Sequence, residues 1–471
     1  MLGTGKILPL VFKLTVPAVV AQLITFLYNI VDRMYVANIK GSGMDALAAL
    51  GVVLPITLII QAFANLIGLG GAPRASMKLG EDDTPEANKL FNSSFVALAA
   101  IGVVLSVTTF ILARQIVELF GCPPSAVEYA TSYLKIYSAG TVFVLAAQGL
   151  NPFITAQGYS LTAMFSVLIG AVVNIILDPV FIFALGMGVN GASLATVLSQ
   201  LISFVWIICF FFSKRSIFRF KLGDMKPDAR RFFCILSLGF SPFIMTLTEC
   251  AIQIVFNVNL NSATGGNKDY TAALTIMLSA LQLISLPLNG LGYGMQPFVS
   301  YNYGKGNSAR LKTGIKYVTA IAFVFAAVVW SASLAAPQLY AYMFSASAEV
   351  RAIVTEYAPF FLMGSIMFFV QMTLQNVNVA LGQAKSAVIL AVLRKVIILI
   401  PLCFALTHFL GFKGVYLSEG IADFVAGAIT TVVIFVTFPR VFNKREREVE
   451  RARAAACDDG AAAQADENSE Q

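Results

Sequence analysis

The sequence predicts an all-α polytopic membrane protein of twelve transmembrane helices, arranged as two parallel-repeat six-helix lobes. Three observations carry this expectation. Of the 471 residues, 58% are hydrophobic and only 12% are charged, about half the charge of an ordinary soluble domain. The apolar residues gather into twelve runs, and a helix needs roughly 20 such residues to cross a bilayer. The second half of the chain also repeats the pattern of the first at a shift of about 224 residues. Such a composition excludes a soluble enzyme, a disordered chain and a disulfide-stapled secreted domain, because there is too little polar surface to face water.

In chain order the runs cover 9–36, 45–73, 91–113, 126–156, 160–186 and 190–213, then 232–262, 270–299, 314–336, 351–380, 385–409 and 414–439. Several are long enough to require tilt, kinking or extension beyond the lipid. Pro17, Pro152, Pro179, Pro242, Pro287, Pro359 and Pro401 lie inside them. Such prolines are tolerated where neighbouring helices or a cavity satisfy the freed carbonyls. Residues 1–213 form an N-lobe and 214–231 a basic linker. Residues 232–439 form a C-lobe and 440–471 a tail, expected to begin as a helix and continue largely disordered.

Lys and Arg concentrate in alternate connections: Arg74, Lys78 and Lys89 after the second run, seven residues between Lys214 and Arg231, Lys305 to Lys312 after the eighth, and Arg440 to Arg453 in the tail. Positive charge marks the cytoplasmic side of a bacterial cell membrane, so both termini are expected there. The basic residues are spread over separate loops, which excludes a nucleic-acid face. The six cysteines form no CxxC pair, and His408 is the one histidine, so neither a metal site nor a disulfide framework is expected.

The repeat can be followed residue by residue. Pro17 falls on Pro242, and Gly68-Leu-Gly-Gly-Ala-Pro73 on Gly292-Tyr-Gly-Met-Gln-Pro297. Ser76 and Gly80 fall on Ser300 and Gly304, Tyr133 on Tyr357, Gly158 on Gly382, and Gly191 on Gly414. Six helices per half is an even number, so both halves enter from the same side, related by an axis along the membrane normal. Two such bundles suggest a transporter with its site between or within the lobes.

Ionisable residues inside a membrane cost roughly 3 kcal/mol on insertion scales and point to function by default. In the N-lobe they are Asp32, behind Tyr28-Asn29, and Asp178, one turn from Asn174. Helical rise puts Asp32, Asp178, Asn174, Thr196 and Tyr133 in the outer third of one bundle. Two acids there resist double ionisation, which suits a proton carrier. Carboxylate, amide and hydroxyl oxygens together also suit Na⁺. In the C-lobe, Glu249 is placed near Glu419, and Arg394 near Asp423 as an ion pair, with Lys395 expected to snorkel. Gln371 and Gln375 deepen the polarity of the tenth run. With Tyr28, Asn29 and Asn151 they are candidates for a substrate cleft. No Walker A sequence is present, so uphill transport must draw on an ion gradient, with no further cofactor.

Tyr28-Asn-Ile-Val-Asp32, Gln157-Gly158 and Asn174-Ile-Ile-Leu-Asp178-Pro179, within twelve duplicated spans, resemble the multidrug and toxic compound extrusion (MATE) family over about residues 5–440. The resemblance implies two six-helix lobes in a V and exchange of H⁺ or Na⁺ for amphipathic, often cationic compounds. Within the family it is similar to the bacterial branch with acids in the N-lobe. Asp32, Asn174, Asp178 and Thr196 match that branch's ion-site positions, with Tyr133 close by. Other branches pair the acid at Glu249 with one in the tenth span, and the deep polar run of that span here holds no acid. A lipid-linked oligosaccharide flippase, related in its lobes, is the alternative. The lipid bilayer and small amphipathic substrates are the expected partners, and the chain is expected to act as a monomer.

Overall fold

A computed structural model describes residues 2–39, 43–226, 228–344 and 346–469, with the side chains of 43, 44, 47 and 452–469 left aside. Among the described residues no strand occurs. Helices α1 to α6 run Ile7–Ala37, Gly43–Gly80, Thr84–Ile111, Val127–Ala156, Ser160–Pro179 and Val189–Phe212. Helices α7 to α9 run Ala229–Thr264, Lys268–Gly304 and Ser308–Ala335. The tenth span, α10, is assembled from Ala348–Phe361, Met363–Met367, Phe369–Leu374 and Gln375–Ala380. Helix α11 runs Ala384–Leu410 with a widened turn at Leu393–Leu399, and α12 runs Phe412–Ser469. Eleven of the twelve are continuous helices long and apolar enough to cross a bilayer; α10 is the broken one. The chain is a multi-pass membrane protein.

The backbone of α12 is helical to Ser469, through the stretch expected to begin as a helix and on into the rest of the tail. Runs of alanine in 454–463 supply the highest intrinsic helix propensity and offset the charge there.

Each lobe packs alike. In the first, α2, α4 and α6 adjoin in sequence, α5 lies against α1 and α6, and α3 covers α2 and α4; α7 to α12 repeat this. Backbone details repeat too. Asp82 and Gly306 both take left-handed φ, as do Gly158 and Gly382. Asp83 and Asn307 each cap the helix that follows, accepting from Glu86 and Arg310 backbone N–H groups. A short helix follows the third span of each lobe, Ala113–Leu119 and Gln338–Met343.

The lobes meet through α2 against α7 and α8 against α1. Gly70 lies against Gly239 and the Ile235 carbonyl, and its repeat partner Gly294 lies against Thr15 and the Leu14 carbonyl. At the end carrying the basic loops, α2 and α8 cross reciprocally. A Cβ on Gly80 would sit 2.1 Å from the Tyr301 carbonyl oxygen, and one on Gly304 would sit 2.0 Å from that of Met77. Only glycine permits backbones this close.

Polar contacts reinforce that end. Arg445, beyond the last span, donates to Glu81 Oε1 and the Gly304 carbonyl, both at 2.6 Å. Arg231 Nε lies 2.8 Å from Glu86 Oε1. The linker is pinned to the N-lobe. Arg219 N–H donates to Asn88 Oδ1 at 2.7 Å, Asn92 donates to the Arg219 carbonyl at 2.9 Å, and Ile217 N–H donates to Gln157 Oε1 at 2.6 Å. Phe218 stacks on Phe91, centroids 5.4 Å apart.

Candidate functional site

Above this closed end, between the lobes, lies a cavity of about 600 Å³. Its wall is rich in amides, among them Gln22, Asn65, Gln148, Gln253 and Gln282. Tyr28, Asn29, Asn151 and Gln375 line it as the sequence predicts. Gln371 is corrected. It is 2% exposed and donates through Nε2 to the Asp423 carbonyl at 2.6 Å. The widened turn Phe369–Leu374 is part of the break in α10, and Gln371 spends its amide tying that break to α12.

The N-lobe residues meet beside the cavity. Asp178, at the end of α5, is fully buried, and Asn174 one turn before it donates through Nδ2 to Asp178 Oδ1 at 3.2 Å. Pro179 has no N–H to give the Ile175 carbonyl, and the helix widens directly after it into a π turn, Val180–Ala184. Asp32 of α1 lies near Asp178, close enough for the two carboxyls to act on each other electrostatically. Tyr133 of α4 lies near Thr196 of α6, the Tyr133 carbonyl accepts from Ser193 of that same helix at 2.8 Å, and both Tyr133 and Tyr28 lie within the field of the two acids. Thr196 also donates to the Ala192 carbonyl at 3.0 Å. Four helices therefore supply the five residues picked out in sequence. Tyr28 and Asn174 are the members that reach the cavity wall; the two acids stand behind them.

The cluster is left incomplete. Asp32 Oδ1, Asn174 Oδ1 and Asp178 Oδ2 are buried without a hydrogen-bond partner. Buried oxygens without a partner are costly, and these three could accept a proton or ligate a small cation. The sequence did not single out Tyr137, which stacks on Tyr133 with centroids 6.4 Å apart. Its one-turn spacing from Tyr133 was the available signal.

The C-lobe holds a different arrangement. Arg394 Nε lies 2.6 Å from Asp423 Oδ1, so the ion pair foreseen between them is present. Arg394 Nη2 also lies 3.6 Å from Glu419 Oε1. Lys395 does not snorkel. Its side chain is 7% exposed, with Nζ 3.4 Å from Glu249 Oε1 and 3.5 Å from Glu419 Oε1. The widened turn Leu393–Leu399 places both cations toward α12, where ion pairing opposes the outward reach of a lysine. Glu249 is therefore near Glu419, as the depth comparison implies, with Lys395 between them.

The MatE family pattern matches residues 17–180 and again 242–405, once in each lobe. The multidrug export protein MepA of Staphylococcus haemolyticus is 28% identical over 421 residues, 89% of this chain and 92% of that protein. MepA of Staphylococcus aureus is 25% identical over 427 residues, 91% and 93% of the two chains. Among solved structures, a MATE transporter in complex with MaL6 superposes with a TM-score of 0.87, at 23% identity, over 93% of this chain and 98% of that one. The outward-facing conformation of a multidrug resistance MATE family transporter gives a TM-score of 0.85, also at 23% identity, over 92% and 96%.

Proposed function

The chain belongs to the MatE family, and from that premise we propose that it exports amphipathic, often cationic compounds across a bacterial plasma membrane, driven by an ion that returns through the N-lobe. The curated relatives it matches over nine-tenths of its length are named as multidrug export proteins. The observation that carries the coupling half of the reading is the trio of buried, partnerless oxygens on Asp32, Asn174 and Asp178 of neighbouring helices. Ionised carboxylates only accept hydrogen bonds. Two of them side by side in a buried site repel unless a proton or a cation joins them, and the reading takes H⁺ as that ion. The basic loops favour an orientation with both termini in the cytoplasm.

In this reading Asp32 and Asp178 share the proton, and Asn174 orients Asp178 through its amide. Tyr133 and Thr196 close the outer side of the pocket. Loss of the proton leaves two like charges in a buried site and pushes α1 away from α5. Tyr28 and Asn29 ride on α1, so this movement alters the cavity wall. Substrate and proton each favour a different arrangement of α1, and one displaces the other.

The test is a proteoliposome assay with imposed pH or Na⁺ gradients and ethidium as substrate. Native protein should respond to the pH gradient. Asp178→Asn and Asp32→Asn should each lower gradient-driven transport at least about tenfold while still binding the dye. Normal transport in both variants would exclude the N-lobe pair, and a response to Na⁺ alone would exclude the proton.

A further inference from the structure

Five charged side chains meet on the C-lobe wall, and their arrangement goes beyond the coupling scheme. Glu249, Glu419 and Asp423 carry three negative charges, Arg394 and Lys395 two positive ones. Asp423 and Glu419 are almost fully buried, and Arg394 serves both. The surplus negative charge therefore falls on Glu249, whose side chain is 52% exposed. Glu249 and Glu419 are the acids on the cavity wall, and Glu249 is the exposed one; Asp32 and Asp178 are not part of that wall. A cation in the cavity meets Glu249 before any other carboxylate.

Lys395 already occupies that carboxylate, and it is loosely held. Its Nζ sits 3.4 Å from Glu249 Oε1 and 3.5 Å from Glu419 Oε1. Charge-assisted N–H···O contacts close to about 2.7–2.9 Å when a donor is committed to one acceptor. The ammonium is shared between two acids and satisfies neither fully. Glu419 Oε2, meanwhile, is buried without a partner. Lys395 thus has a second acceptor on the same carboxylate, reached without leaving the cluster.

We propose that Lys395 is a tethered counter-cation of the substrate site: it occupies Glu249 when the cavity is empty and shifts to Glu419 Oε2 when a cationic substrate takes its place. The exchange keeps every buried charge paired at each step, so a substrate gains Glu249 without stranding Lys395. Lys395 is a specificity-determining residue. It sets the threshold a cation must exceed and leaves uncharged aromatic compounds untouched. This rests on the export reading for the identity of the occupant.

The purified full-length chain is titrated by calorimetry with tetraphenylphosphonium and with triphenylphosphine oxide, its uncharged relative. Lys395→Met with Glu419→Gln removes one charge of each sign and keeps the net charge of the cluster. Lys395→Gln, which keeps a donor for Glu419, is the second variant should the first fail to fold. Tetraphenylphosphonium should bind either variant about tenfold more tightly, the scale of one competing ion pair, with triphenylphosphine oxide unchanged. Glu249→Gln should weaken the cation about tenfold, and replacing Lys395 as well should then have no further effect. Unchanged or weaker cation binding by a folded Lys395 variant overturns the exchange, as does an equal gain for the neutral compound. A native chain that does not bind tetraphenylphosphonium overturns it too. A chain that shows these shifts in binding and yet moves no dye in proteoliposomes overturns the export reading alone.

Discussion

Replacing Gly304 with alanine tests how the basic end of the molecule stays closed. The new Cβ would lie 2.0 Å from the Met77 carbonyl oxygen, roughly 1.4 Å short of ordinary contact. That oxygen belongs to the backbone of α2 and cannot swing aside, so α2 and α8 must part. Gly80→Ala makes the reciprocal demand against the Tyr301 carbonyl, at 2.1 Å. Overpacking of this kind costs about 1–3 kcal/mol. The cost falls on the closed arrangement alone, because a chain with the basic end apart never makes the contact. Each 1.4 kcal/mol is a factor of ten in population, so the closed form should lose about fivefold to somewhat over a hundredfold. Spin labels at Thr84→Cys and Ala309→Cys, one in each lobe, would report this by electron-electron resonance on a background without the native cysteines. Gly304→Ala should shift the distance distribution to longer values. Gly51→Ala, where a Cβ meets nothing within 4 Å, should leave it unchanged. An unshifted distribution in folded Gly304→Ala and Gly80→Ala proteins would refute the argument that this crossing is the seal.

Arg394→Met should lower stability by about 3–5 kcal/mol, because it leaves Asp423 and Glu419 buried with too little positive charge. The double change Arg394→Met with Asp423→Leu should recover a large part of that loss in thermal unfolding of the purified protein, and a double variant no more stable than the single one would show that packing, not charge, is at stake. Arg445→Ala removes the bond from α12 to Glu81 and to the Gly304 carbonyl. Since Arg445 and Glu81 are partly exposed, the loss is about 1 kcal/mol. The same spin-label pair should then move in the same direction as in Gly304→Ala, by less than about tenfold in population.

The fold was readable because membrane physics leaves few options. Long apolar runs, alternating basic loops and an internal shift fix helix number, order and the two-lobe repeat. The two family matches start 225 residues apart, close to the shift read from Gly and Pro alone. The N-lobe cluster was readable for a related reason. Helical rise converts position into depth, and acids in lipid are rare enough to stand out. What escaped was anything set by contacts distant in sequence. Gln371 looked like a cavity amide but faces the Asp423 carbonyl, because the turn that contains it widens. Lys395 looked free to reach the surface, since nothing in one span says that Glu249 and Glu419 from two other helices flank it. The linker looked like a basic spacer, yet Asn88, Asn92 and Gln157 hold it in place. The later part of the tail looked unstructured by its charge, while its alanines keep it helical.

The two lobes share a scaffold but not a charge balance, and the difference decides which lobe can take up the coupling ion. Gly191 and Gly414 occupy equivalent turns, each packed against backbone of the preceding helix at Phe181 and Leu406. Counting five residues on from each, the position that carries Thr196 in α6 carries Glu419 in α12. In the N-lobe that position gives a neutral hydroxyl, and the acids come from α1 and α5, with no ion pair to a buried cation among the described residues. In the C-lobe it gives an acid, and α11 supplies Arg394 and Lys395 to neutralise it. A carboxylate already paired with a buried guanidinium gains little from a proton, because protonation would strand the arginine. A pair of carboxylates side by side gains much, because protonation removes their repulsion. On the reading proposed above, the N-lobe is therefore where the driving ion acts. On the same proposal the C-lobe, with its one surplus charge on Glu249, is where a cationic substrate would be held. In that scheme neutralising Asp32 and Asp178 would move α1, while occupying Glu249 would move Lys395. The shared cavity wall is what lets one event be felt by the other.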